Sequence, residues 1–137
     1  MITAIDTNVL LDLWGADPVF CEPSKAALMR ADIQGSLLVS DIVYAELAGR
    51  FASQADLDAR LADLGIELVA TPRIAAFQAG LARERYLRAG GKRVRILPDF
   101  LVAAHAAHVA DRLLTRDDGF YRAYFPKLKI LDPAAAG

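Results

Sequence analysis

A single cysteine, Cys21, stands in the whole chain, so no internal disulfide can form. A reducing, cytoplasmic setting is the simplest expectation. Nothing near Cys21 would lower its pKa, which reads it as a small packing residue rather than a nucleophile. Long apolar runs are missing too. None approaches the roughly 20 residues of a membrane helix, and Met1-Ile2-Thr3-Ala4-Ile5-Asp6 lacks the basic opening and apolar stretch of a signal peptide. No membrane partner is expected. Positive charge is not in excess: 16 Lys and Arg face 17 Asp and Glu, for a net charge of −1. This argues against nucleic-acid binding by bulk charge. It does not exclude an acidic pocket whose bound cation meets a phosphate. Histidine is scarce. His105 and His108 have helical spacing but no third ligand at a telling distance, so a satisfied core or surface histidine is the better reading than a metal ligand. Gly90-Gly91-Lys92 is not a phosphate loop, because Tyr86 and Arg93 stand where the Walker spacing requires Gly and Ser or Thr.

What is present is enough for one domain. The chain has 137 residues, 55% of them hydrophobic. Short β-like runs alternate with longer helical patterns, which predicts an α/β fold with a central, mostly parallel five-stranded sheet flanked by helices. Strands are expected over 2–5, 37–39, 66–69, 113–115 and 128–131. Helices are expected to open after Asp6, at Pro23, at Ser40 or Asp41, at Asp56, at Pro72, at Pro98 and at Asp117. The domain is taken as 1–132, and the Ala-rich 133–137 as a flexible tail.

Four acids stand out by position. Asp6 and Asp117 each follow an apolar strand directly. Ligands of open parallel sheets bind at the carboxyl ends of the strands, which places both on one edge. A plain helix N-cap is the competing role for Asp6. Glu46 lies in the third helix between Ala45 and Leu47, where a solvated Glu is the ordinary outcome. Asp99 opens Phe100-Leu101-Val102-Ala103-Ala104-His105-Ala106-Ala107, apolar nearly all round and therefore a buried helix. Asp99 either complements the helix dipole or points into a site at the sheet edge. Thr115 and Asp118 have capping-box spacing, so Asp118 ranks below Asp117 as a ligand.

These pieces occur together in a known pattern. Ile5-Asp6-Thr7-Asn8-Val9-Leu10-Leu11, Tyr44-Ala45-Glu46-Leu47, Pro98-Asp99-Phe100-Leu101-Val102-Ala103-Ala104-His105-Ala106 and Leu113-Leu114-Thr115-Arg116-Asp117-Asp118-Gly119-Phe120 follow one another in order, with Tyr124-Phe125-Pro126-Lys127-Leu128 trailing. Each is weak alone; in sequence they resemble a PIN domain of the VapC toxin type over nearly the whole chain. The resemblance implies a PIN-like domain acting as a metal-dependent endoribonuclease toxin, with Asp6, Glu46, Asp99 and Asp117 as its catalytic metal site. It implies an RNA substrate, a cognate antitoxin protein and a homodimer. Many relatives carry a further acid two positions after the last motif's Asp, where this chain has Gly119.

Phosphodiester hydrolysis needs a water made nucleophilic at neutral pH and charge stabilisation at phosphorus, and Mg²⁺ or Mn²⁺ supplies both. Oxygen ligands suit such ions. Asp6 and Asp99 are expected to bind directly, with Glu46 and Asp117 acting through water or on a second ion. Thr7, Asn8, Ser40 and Thr115 are candidates to steady carboxylates or phosphate, with helix capping as their alternative. Lys92, Arg93 and Arg95, in the densest basic stretch, and Arg116 are candidate RNA contacts. Leu10, Leu13, Trp14, Phe20, Val43, Leu47 and Phe51 are candidates to line an antitoxin groove, although core packing must take most of them. The alternatives are a non-catalytic PIN-like binding module and a receiver-type module with an acidic metal pocket. The receiver reading expects an Asp after the third strand, where Val69 is followed by Ala70-Thr71-Pro72.

Overall fold

The computed structural model describes residues 1–92 and 97–134. The expected Arg93 and Arg95 contacts lie outside these residues, as does 135–137 of the expected tail. In chain order the elements are β1 Ile2–Ile5, α1 Thr7–Trp14, α2 Cys21–Gln34, β2 Ser36–Val39, α3 Asp41–Ala48, α4 Gln54–Asp63, β3 Ile66–Leu68, α5 Arg73–Arg88, α6 Leu97–Val109, β4 Arg112–Leu114, α7 Asp118–Tyr124 and β5 Ile130–Leu131. The alternation of short strands and helices is the one the sequence predicts. Boundaries differ locally. α2 begins at Cys21, two residues before Pro23, and α3 stops at Ala48, before Phe51.

The strands form one sheet in the order β3-β2-β1-β4-β5, and every pairing is parallel. β3 therefore sits at an edge beyond β2; in a receiver-type sheet it would lie beside β1. The central strands are buried after their first residue. Ala4 and Ile5 of β1, Leu37, Leu38 and Val39 of β2, and Leu113 and Leu114 of β4 all belong to the core. Burial on both faces explains why these strands read as continuous apolar runs rather than alternating ones. Gly35 is required where β2 starts, since a Cβ there would stand 1.8 Å from the Met1 carbonyl oxygen.

α6 is buried through Phe100, Val102, Ala103, Ala104, His105 and Ala106, and α5 packs along it through Ala75, Ala79 and Ala82. Small residues on both helices allow close approach. His105 is satisfied within the core, its Nε2 2.7 Å from the Val69 carbonyl oxygen, and His108 Nδ1 lies 2.9 Å from that of Ala104. His105 is thus a satisfied core histidine, while His108 is exposed at the surface. Cys21 is half-buried, its Sγ donating to the Leu13 carbonyl oxygen. Among the described residues, no helix is long and apolar enough to cross a membrane.

The topology positions the site. After β1 the chain leaves toward β2; after β4 it leaves toward β5, on the other side. The adjacent carboxyl ends of β1 and β4 thus flank a crevice, the usual ligand position in an open parallel sheet. Ile5 pairs with Leu114, which sets Asp6 level with Thr115.

Candidate metal centre

Asp6 ends β1 and caps α1. Its backbone is extended, and its Oδ1 accepts from the Thr7 backbone N–H at 2.8 Å. The capping role and the position at the sheet edge therefore coexist in one side chain. Its other oxygen, Oδ2, accepts from the Thr115 hydroxyl at 2.8 Å, the Tyr121 hydroxyl at 3.3 Å and the Asn8 amide at 3.4 Å. Asp6 is only 7% exposed. Burial raises its pKa from the ordinary 3.8 to about 6. Bonds from Thr115, Thr7 and Tyr121 pull it down, and the Glu46 charge pushes it up.

Tyr121 shows where two other acids stand. Its hydroxyl is held far above the usual phenol range, first by burial and then by the charges of Asp6, Asp99 and Asp117. It is thus a permanent proton donor set among three of the four expected carboxylates. Asp99 arrives from the first turn of α6, and Asp117 from the N-cap of α7. Glu46 comes from α3, where it is exposed, and its Oε1 accepts from the Thr7 hydroxyl at 2.8 Å. The fold therefore draws all four acids toward one crevice from four separate segments. It does not close them into a cage: among the described residues, no three acid, His or Cys side chains stand close enough to hold a metal ion.

The supporting residues divide. Thr7, Asn8 and Thr115 are at the site. Asn8 bridges both sides of the crevice: its amide donates to Asp6 and Thr115, and its carbonyl oxygen accepts from the Arg116 backbone N–H at 3.2 Å. Ser40 is a buried cap, accepting from the Val43 N–H at 3.1 Å. The capping-box reading of Thr115 and Asp118 is corrected. Asp117 holds the N-cap place, and the Thr115 hydroxyl accepts from its N–H while donating to Asp6. Asp118 pairs with Arg122 one turn on.

Arg116 has a structural occupation. Its guanidinium grips Asp12 with two bonds and stacks 4.0 Å over the Phe20 ring. Lys92 is exposed, and its carbonyl oxygen accepts from the Tyr86 hydroxyl. Sequence reading missed Tyr121 and Asp12. Asp12 carried a signal, an acid inside the apolar run Val9 to Trp14 and one turn after Asn8. Tyr121 carried a fainter one, one turn after Asp117.

A family model described as PIN domain matches residues 3–126. The chain belongs to the PIN domain family. Comparison with curated protein sequences gave no match. Solved structures gave close likenesses of fold. One is VapBC2 from Rickettsia felis bound to a DNA fragment from their promoter, 22% identical, with TM-score 0.73 over 96% of this chain and 98% of that one. Another is VapBC-1 from nontypeable Haemophilus influenzae, 20% identical, with TM-score 0.75 over 98% and 99%. A third is a toxin–antitoxin complex from Klebsiella pneumoniae, 22% identical, with TM-score 0.66 over 96% and 97%. This PIN domain thus spans essentially the full length of the chains it resembles.

The donor chemistry of this PIN domain suits a hard divalent cation. Its crevice offers carboxylate oxygens; burial is what raises Asp6, with the Glu46 charge adding to it, and a cation would offset both.

Proposed function

We propose that the chain is a divalent-metal-dependent endoribonuclease, the toxin of a toxin–antitoxin pair, working in the cytoplasm. One observation carries this reading. A buried Asp6, fixed by four hydrogen bonds at the β1–β4 crevice, feels the charge of Glu46, and the Tyr121 hydroxyl that binds it also feels the charges of Asp99 and Asp117. A purely structural acid would have no need of three more around it, since like charges raise the energy of the folded state.

Asp6 and Asp99 would hold Mg²⁺ or Mn²⁺ directly, with Glu46 and Asp117 acting through water or on a second ion. When bound, the cation supplies a water activated at neutral pH and positive charge toward the phosphate. The chain's own residues do the rest. Thr115, Tyr121 and Thr7 orient Asp6. Glu46, exposed at the rim and held by Thr7, would orient the attacking water. Lys92, with Arg93 and Arg95, is proposed to meet the RNA backbone; Arg116, already gripping Asp12, is proposed for the architecture instead.

The antitoxin's seat is proposed beside the site, between α1, α3 and α4. Leu10, Val43 and Leu47 are fully in the core and cannot line it. Phe20 lies under Arg116. Trp14 and Phe51 remain, edge to face at 5.4 Å, and with Leu11, Arg50 and Arg60 they border a cavity of about 270 Å³. Leu13 is half-buried and does not border this cavity. The solved likeness described as a toxin–antitoxin complex supports this partner. A basic side chain of the same partner reaching Asp6 or Asp99 would compete with the cation. A second copy of the chain is proposed on α5, where Ile74, Phe77 and Leu81 share a face and are 54%, 62% and 41% exposed.

The deciding experiment is cleavage of single-stranded RNA by purified protein. Cutting is expected with Mg²⁺ or Mn²⁺ and should stop with EDTA or with Asp6→Asn. Undiminished cutting in EDTA would refute the metal mechanism, and undiminished cutting by Asp6→Asn would refute the site.

A further inference from the structure

The two oxygens of Asp6 are treated unequally. Oδ2 faces three donors, from Thr115, Tyr121 and Asn8. Among the described residues, Oδ1 accepts only the Thr7 N–H. An ionised carboxylate has about four lone-pair sites, two on each oxygen. Oδ2 is therefore saturated by the protein, and Oδ1 keeps one direction open. Two of the three Oδ2 donors are hydroxyls that come from the β4 side of the crevice, Thr115 at the strand end and Tyr121 one helical turn after Asp117.

Tyr121 is built for this contact. It is 1% exposed, so water does not replace its partner. Its ring is packed edge to face against Phe120 at 5.2 Å. The Tyr121 N–H reaches back to the Asp117 carbonyl oxygen, so the residue carrying the phenol and the residue carrying the carboxylate are coupled through one turn of backbone. A buried hydroxyl without a partner is unfavourable, and Asp6 is the partner this one has. At 3.3 Å the bond is longer than that of Thr115, as is common in sites that tighten only when loaded.

We propose that Tyr121 is a positioning residue of the metal centre: its hydroxyl, acting with Thr115, fixes Oδ2 of Asp6 so that Oδ1 is the oxygen presented to the cation. The inference rests on the metal-site reading above. Groups that hold a ligating carboxylate from behind commonly change metal affinity by tenfold or more when removed. Tyr121 would thus govern how tightly the cation binds.

The test is Tyr121→Phe in the full chain, which keeps the ring and removes the oxygen. Mn²⁺ binding is measured by calorimetry and by the electron paramagnetic resonance of unbound Mn²⁺, and RNA cleavage is followed as Mn²⁺ rises. The expected result is a Kd for Mn²⁺ weakened about tenfold, with cleavage reaching half its maximum only at correspondingly higher Mn²⁺. Phe120→Leu serves as the control, because it loosens the same aromatic cluster and leaves the hydroxyl; its Mn²⁺ affinity should match the parent. An unchanged affinity in Tyr121→Phe overturns the proposal. So does an equal loss in Phe120→Leu, which would assign the effect to packing. A parent protein that binds no Mn²⁺ at all overturns the metal reading itself, a distinct and recognisable outcome.

Discussion

Arg116 holds both carboxylate oxygens of Asp12, Nε to Oδ2 at 2.5 Å and Nη2 to Oδ1 at 3.0 Å, tying the end of β4 to the buried face of α1. Ser24 of α2 adds a third bond to Asp12 at 3.1 Å. Because the Arg116 backbone also donates to Asn8, this clamp fixes the spacing between the two strand ends that form the crevice.

Breaking the clamp from one side should therefore be severe. Arg116→Ala leaves Asp12 charged, buried and short of its main partners, and should lower unfolding free energy by about 3 kcal/mol. Arg116→Lys should recover little, since an ammonium cannot make the bidentate contact or the stack on Phe20. Removing both partners in Asp12→Ala with Arg116→Ala should be milder than the two single losses combined. Urea titration of the four proteins checks this, and simple additivity would refute the coupling.

Stability without metal should depend on pH through Asp6. Its folded-state pKa, about 6, lies above the ordinary 3.8 because of burial. Above pH 6 the group is ionised in both states and the fold carries the full penalty. Below pH 4 it is protonated in both and the penalty is gone. Between these limits only the folded state holds the proton, so this contribution falls as pH rises, by roughly 3 kcal/mol in all. His105 acts oppositely: burial lowers its pKa, so its stabilising effect is lost as pH falls below the ordinary 6.5. The Asp6 part is read as the difference between the parent and Asp6→Asn, in EDTA, from pH 4.5 to 6.5. Parallel curves would show that Asp6 is not raised.

Glu46→Gln separates charge from hydrogen bonding. Glutamine can still accept from the Thr7 hydroxyl but no longer repels Asp6. The expected result in EDTA at neutral pH is a melting temperature about one or two degrees higher than the parent, together with a large loss of RNA cleavage. A lower melting temperature would mean that the Glu46 charge stabilises the metal-free fold.

Self-association should depend on α5. Phe77→Lys places a charge on the exposed stripe with Ile74 and Leu81, away from the core residues Ala75, Ala79 and Ala82 of the same helix. Light scattering should show a dimer for the parent at micromolar concentration and a monomer for the variant, with unchanged circular dichroism. A dimer that survives the substitution would move the interface elsewhere.

By itself the sequence determined the alternation of elements, the parallel sheet and the position of Asp6 at the end of β1, because apolar runs and capping residues are local signals; Asp117 stands three residues past the end of β4, at the start of α7, rather than directly after the strand. The ordered motifs likewise pointed to the family. Both Asp117 and Asp118 are acids at the start of α7; Asp118 pairs with Arg122 one turn on, a local contact, whereas the packed structure brings Tyr121, which feels the Asp117 charge, against Asp6. The same holds for Arg116, which reads as a solvent-facing cation until α1 brings Asp12 against it. The core status of Leu10, Val43 and Leu47, against the open position of Trp14 and Phe51, also depended on which helices met. Tertiary structure alone decided which oxygen of Asp6 is saturated, since its donors come from residues 7, 8, 115 and 121. Sequence periodicity reports which face of an element is buried. Which side chain waits there is fixed by strand order and helix packing, and these join residues more than a hundred positions apart.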